Sequence, residues 1–386
     1  MKNVKVILIS VALCATVFAN ARIEALGGDA GFWPGDRANV ELFPGALNDG
    51  NWVEFGGVQG TTPSASINWG EDVKWGFNFG GADNNDWVNM SWAKDGMGLS
   101  VSMLSSMTGP SDVVVGVEDD PATEADETVE AVNESDVSGF NVAWGQTMSF
   151  GELGVSYSTT DDAKTTDDAA TALTVNWRNA CDAWLFDNAK AALSMTDDGA
   201  GVSGMALTYD LFTHVKPADG VTALFGLGFA HASTDTDVDA IVEVVEACTD
   251  TDWEAGDGAD GCGDGFDYTA PVAPEAARTD NNTQMWLPNA ILAVEASMTD
   301  WATVRAFVKQ THVFSNDDDA TAGDDTTGNM TDAGFGVGFG WTTANGSSVS
   351  LDMEVSNSLF TDPISTMTGY KEANLANGEV TISYEF

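Results

Sequence analysis

The sequence predicts an all-β chain closed into a transmembrane antiparallel up-and-down barrel of about sixteen strands, and three observations carry that prediction. Apolar residues alternate with small or polar ones along much of the chain, predicted connections are short on one side and long on the other, and tryptophans gather at one level.

The alternation is clearest at the C-terminus, where Val380, Ile382, Tyr384 and Phe386 share one face and Thr381, Ser383 and Glu385 the other. The same period of two recurs around Val73 to Phe79, Leu99 to Met103, Leu153 to Tyr157, Leu173 to Trp177, Ala333 to Trp341 and Val349 to Val355. Strands are expected near 51–57, 64–69, 73–80, 86–93, 97–106, 137–147, 151–159, 169–178, 182–195, 200–213, 221–233, 286–298, 301–314, 332–343, 347–357 and 379–386. A soluble sandwich would alternate too, so the connections decide. The predicted short ones, 70–72, 94–96, 149–150, 179–181, 214–220, 299–300 and 342–346, all fall on one rim. The long ones, near 107–136, 234–285, 315–331 and 358–378, fall on the other, as periplasmic turns and extracellular loops do. Trp69, Trp75, Trp92, Trp144, Trp177, Trp341 and Tyr384 lie on the outward phase near the short-turn rim, where a membrane-interface girdle belongs.

Composition narrows the function. The 386 residues hold 60 acidic against 14 basic side chains, a formal charge of -46, which excludes a nucleic-acid partner held through phosphates. Mean hydropathy is -0.09, and no apolar run of about 18 residues follows Ala21, so the expected membrane partner, outer-membrane lipid, is met by strands. Lys2 and Lys5, an apolar stretch from Val6 to Phe18 and Ala19-Asn20-Ala21 read as an export signal over 1–21. Residues 22–50 then form an N-terminal segment able to plug a lumen, and 51–386 the barrel. Localisation in a bacterial outer membrane follows, and a homo-oligomer is compatible with the pattern.

With the apolar phase facing lipid, the inner wall is Ser, Thr, Asn, Gly, Asp and Glu. Residues 301–314 stand out because Arg305, Phe307, Lys309 and Thr311 face inward. Antiparallel pairing sets Glu295 opposite Arg305, and the inward glycines 334, 336, 338 and 340 open a trough toward Asp352 and Glu354. Glu295, Arg305, Lys309, Asp352 and Glu354 are the pore-lining candidates, either as a transverse field at a constriction or as wall ion pairs. No inward apolar stripe fit for a fatty acid is evident.

The acidic excess concentrates in the long loops, giving an outer mouth that favours cations. Spacing after Thr236-Asp237 suggests a short helix over the mouth. Cys248 and Cys262 share one polar segment of an exported chain and are the disulfide candidate; Cys181 is left over in the expected 179–181 connection. Asp257, Asp260, Asp264 and Asp267, interleaved with glycine, are candidate calcium ligands, though without the EF-hand spacing. No other cofactor is implied, and His214, His231 and His312 lie in no nucleophile motif, so catalysis is not expected.

The stretch Ala25-Leu26-Gly27-Gly28, followed by Asp36, Asn39 and the element Phe43-Pro44-Gly45-Ala46-Leu47, resembles the opening of FadL-type and PorV-like outer-membrane proteins. The match covers about 25 residues, and the asparagine of the usual Asn-Pro-Ala element is replaced here. The resemblance implies a fourteen-stranded barrel with the N-terminal segment as a hatch, in which case 51–57 and 64–69 would belong partly to the hatch. It also implies a hydrophobic ligand. The leading expectation is a porin-like channel passing small solutes; the alternatives are a FadL-like transporter of hydrophobic molecules and a non-conducting PorV-like secretion or surface-interaction barrel.

Overall fold

A computed structural model describes residues 21–56, 63–82, 85–108, 135–163, 168–238, 278–317, 326–344, 346–355 and 380–386. Sixteen strands form one closed antiparallel barrel, each pairing with its chain neighbours and β1 (Trp52–Gly56) closing on β16 (Val380–Glu385). Between them lie β2 (Ser64–Gly70), β3 (Lys74–Ala82), β4 (Asn85–Lys94), β5 (Met97–Thr108), β6 (Ser135–Met148), β7 (Gly151–Asp162) and β8 (Ala170–Ala183). Then come β9 (Phe186–Asp197), β10 (Val202–Ala218), β11 (Val221–Val238), β12 (Arg278–Thr299), β13 (Ala302–Asp317), β14 (Thr326–Thr342) and β15 (Ser348–Val355). The fourteen-stranded alternative is thereby excluded, because β1 and β2 are wall strands that complete the closure.

The outer face is apolar at every quarter of the wall, with Phe55, Phe79, Met90, Met103, Phe140, Leu207, Leu292 and Ile382 all exposed. Register sets Trp69 beside Trp75, Trp75 beside Trp92, and Leu99 beside both Trp92 and Trp144, so these rings form a lateral band next to the short turns. On the far side of the seam Trp341 pairs with Val349 and Val349 with Tyr384, continuing that band. A closed barrel with this exterior pairs its ladders internally and offers lipid a predominantly apolar surface. The protein is an integral β-barrel of the bacterial outer membrane.

Several boundaries differ from expectation, and on the short-turn side β10 runs to Ala218, through most of the expected 214–220 connection. The β8–β9 turn falls at Trp184-Leu185, not at 179–181, because a bulge between Ala180 and Ala183 lets the strand continue and Trp184 takes φ 58°. Cys181 is therefore a half-buried strand residue with a free thiol. On the outer side, β11 and β12 stay paired as far as Val238 opposite Arg278, and β14 begins at Thr326. These extensions, rich in Thr, Asn and Asp, rise into water on both faces; hydrophobic alternation vanishes there while the ladder continues.

Candidate functional site

The inner wall brings three of the five pore-lining candidates together. Register places Glu295 of β12 opposite Arg305 of β13. The Arg305 guanidinium donates from Nε to Glu295 at 2.7 Å and from Nη1 to Asp352 of β15 at 2.6 Å. That second bond crosses β14 over Gly338, where a Cβ would collide with both the guanidinium and the carboxylate. The expected trough therefore exists and is filled: the Phe307 ring lies over Gly334, Ala25 over Gly336 and the ion pair over Gly338. Lys309 and Glu354 stay outside this network. Lys309 is half-buried with Asp332 as its register partner, Glu354 is paired in register with Gly336, and no ion pair joins the two among the described residues.

The side chain that completes the network comes from the N-terminal segment. Arg22 donates to both Glu295 oxygens, at 2.9 and 3.2 Å, and also bonds Asp36, giving a chain Asp36–Arg22–Glu295–Arg305–Asp352. A cation from residues 21–50 thus occupies the place where the sequence suggested a constriction.

That segment folds as a string of short helical turns. Ala21–Glu24 ends at Gly27 and Gly28, both at positive φ, and Asp29 accepts from the Gly31 amide at 2.8 Å to cap Ala30–Phe32. Asn39–Leu42 follows, then Pro44–Asp49, where proline occupies the first turn and sacrifices no needed donor.

Its anchors lie around the barrel near the short-turn rim. At one end, the Ala21 amide donates to Thr381 of β16 at 3.1 Å. Arg37 pairs with Glu54 of β1 at 3.3 Å and Glu385 of β16 at 3.0 Å. Asn68 of β2 donates to the Leu47 and Gly50 carbonyls. Arg178 of β8 is 3 % exposed; it bonds Glu152 of β7, the Gly31 carbonyl at 3.0 Å and Asn39 at 2.9 Å, and stacks 4.7 Å from the Phe43 ring centroid. Lys190 of β9 bonds Asp29 at 2.6 Å and Asp210 of β10 at 3.0 Å, over the Phe32 ring.

Between those ion pairs the contact is apolar. Ile23, Leu26, Phe32 and Trp33 pack on Phe212, Leu224, Ile291, Ala293 and Phe307 of β10 to β13. The wall does carry an inward apolar patch, contrary to the sequence reading. Phe212 and Ile291 sit in the inward phase beside polar residues such as Thr208, Asp210, Asn289 and Glu295, so no alternation signal marked them. On β5 to β7 the segment rests on backbone: a Cβ on Gly98 or Gly154 would fall on the carbonyl oxygens of Pro44 and Leu42, and Gly145 touches Pro44.

The electrostatics of the segment follow from its enclosure. Burial works against the Arg22 charge, yet Asp36 and then Glu295 more than restore it, and the guanidinium is held above its ordinary value. Burial pushes the Asp29 carboxyl up, but the Lys190 ammonium outweighs it and leaves Asp29 below the usual range. Glu24 is raised by desolvation and then by the neighbouring acid Asp332.

Arg22, Arg178 and Lys190 were absent from the sequence-predicted set. Their signal was available: with so few basic residues in the chain, each inward-phase cation invites a search for a buried partner. Cys248, Cys262, Asp257, Asp260, Asp264 and Asp267, with the helix expected over the mouth, lie outside the described residues.

No family model matches the chain, and no curated protein matches it. Solved structures do. A bacterial polysaccharide outer-membrane secretin aligns with TM-score 0.43 and 8% identity over 87% of this chain and 97% of its own. BamA from Haemophilus ducreyi lacking POTRA domains 1–3 aligns with TM-score 0.35 and 12% identity over 87% of this chain and 69% of that one. A porin aligns with TM-score 0.29 and 12% identity, over 87% and 98% of the two chains.

Proposed function

We propose that the protein is an outer-membrane channel or transporter closed at its periplasmic end by residues 22–50, passing solute only when that segment leaves its seat. The observation that carries this reading is the distribution of its anchors: β1, β2, β8, β9, β12 and β16 each hold the segment through side chains, so it bridges the bore. A freely open porin bore does not suit that arrangement. The hatch position supports a FadL-like transporter, although with sixteen strands in place of fourteen. The inward patch around Phe212 and Ile291 supports a ligand with apolar surface, since it would be uncovered when the segment moves. The acid-rich outer loops, their cation preference, calcium at Asp257 to Asp267 and homo-oligomer formation remain part of the proposal for the outer face.

Single-channel recording of the refolded mature protein tests it. The wild type is expected to be silent or to open rarely, and Arg178→Ala combined with Lys190→Ala to give frequent steps. Steady conductance in the wild type would restore the open-porin reading. Silence in a folded, inserted double variant would favour the non-conducting PorV-like barrel.

A further inference from the structure

A cavity of about 520 Å³ opens at the periplasmic rim between the N-terminal segment and the β1–β16 seam. Arg22, Asp36, Arg37, Asp49, Trp52 and Glu385 line it, so three carboxylates face two guanidiniums. Arg22 is committed to Asp36 and Glu295, and Arg37 to Glu54 and Glu385. Asp49 is different: it is exposed, and no hydrogen bond or ion pair reaches it among the described residues. The Glu385 side chain is 53% exposed, so its pair with Arg37 faces solvent and exchanges readily. The space is of the size that holds a small molecule.

We propose that this cavity binds a small organic cation carrying a guanidinium or primary ammonium group, its charge shared between Asp49 and Glu385 beside the Trp52 ring. Asp49 supplies a carboxylate that no hydrogen bond or ion pair reaches among the described residues, and Glu385, which also accepts from Ser348, the acceptor that a second guanidinium contests with Arg37. Occupancy therefore removes one of the anchors that hold residues 22–50, which makes the cation an opening ligand. That consequence rests on the closed-channel reading; the binding itself does not.

Agmatine, which carries both groups, is the probe. Calorimetric titration into the refolded mature protein is expected to show saturable binding that weakens at least about tenfold in Asp49→Asn and in Glu385→Gln, as loss of a charge-assisted contact does. Binding should also weaken as salt is raised, and 1,4-butanediol should not bind. Both variants alter exposed carboxylates, and heat-modifiable gel mobility checks that each barrel folds. No saturable heat, or equal affinity in the wild type and both variants, overturns the site. In the bilayer, agmatine is expected to raise the opening frequency of the wild type at least severalfold and to leave Glu385→Gln unchanged. Binding without that rise overturns the link to opening. The Arg178→Ala/Lys190→Ala variant separates the two ideas: if it conducts while agmatine fails to bind, this inference alone falls, and if it stays silent, the closed-channel reading falls while calorimetry still decides the site.

Discussion

On β5 to β7 the N-terminal segment meets the wall mainly through backbone, with Leu42, Pro44 and Gly45 lying on the bare strand surface at Gly98, Gly145 and Gly154 and Asn48 adding one bond to the Met97 carbonyl. On β8 to β13 the same segment is held by side chains: Arg178, Lys190, Glu295 and the Phe212 patch. The first arc supplies mainly shape; the second supplies charge and apolar surface at chosen points. Either arc is incomplete alone, because ion pairs on one side would only tilt a segment that had no bed to lie in on the other. The contrast separates what excludes the segment from other positions from what attracts it to this one.

The sharpest way to break the comparison is to fill the bed. In Gly154→Val the new side chain meets the Leu42 carbonyl, which is backbone and cannot rotate aside. Valine suits a strand, so the barrel is expected to fold while the segment is expelled, and overpacking of this kind costs about 1–3 kcal/mol or more. A second substitution, Gly98→Val, should make expulsion complete. Conductance records it: steps that persist throughout the trace are expected, and unchanged silence would show that the bed is not needed.

That arc is also the one the sequence concealed. A glycine in the inward phase of a strand reads equally as room for a ligand, room for another chain or mere permissiveness, and only the seated backbone tells these apart. Alternation made the wall legible, with all sixteen strands near their expected places, because burial of one face is a local property. The ion pairs were half legible. Glu295 and Arg305 follow from register within one hairpin, whereas Arg22 reaching Glu295 spans 273 positions and leaves no periodic trace. Lys309 and Glu354 were chosen by the same inward-phase logic as Arg305 and Asp352. Phase fixes which face a side chain takes but not its height relative to a partner two strands away, so the pair never meets.

Removing the strongest charge anchor comes next in size. Arg178→Ala leaves Glu152, the Gly31 carbonyl and the Asn39 side chain without their donor in a buried setting, a loss of about 3–5 kcal/mol in seating the segment. Arg178→Lys sharpens the point. It keeps a charge for Glu152 but cannot fork to three acceptors and also stack on Phe43, so it should fall between wild type and alanine in opening frequency. Equal behaviour of lysine and arginine would mean that charge alone matters there. Phe212→Ala probes the apolar half of that arc: it opens a cavity under Phe32 and costs about 3 kcal/mol, read as a lower denaturant midpoint for release of the segment, with the barrel transition unchanged.

The smallest effect is a pH dependence confined to the charged arc. Asp29 is held below the ordinary carboxylate range by Lys190, against the opposing push of burial. A carboxyl whose folded value lies below its unfolded one contributes stability that is complete above the unfolded value and is lost as pH falls through the folded one. The seat should therefore be insensitive to this group above about pH 5 and weaken progressively below about pH 4, where Asp29 takes up a proton and Lys190 keeps only Asp210. Solvent screening at this partly exposed pair limits the effect to about 1 kcal/mol. Asp29→Asn should flatten that acid limb, and the backbone-seated arc, which carries no titrating group at Gly98, Gly145 or Gly154, should contribute nothing to it. Opening frequency measured between pH 7 and pH 3 in wild type and Asp29→Asn decides the matter, and an identical acid limb in both would place the titrating group elsewhere.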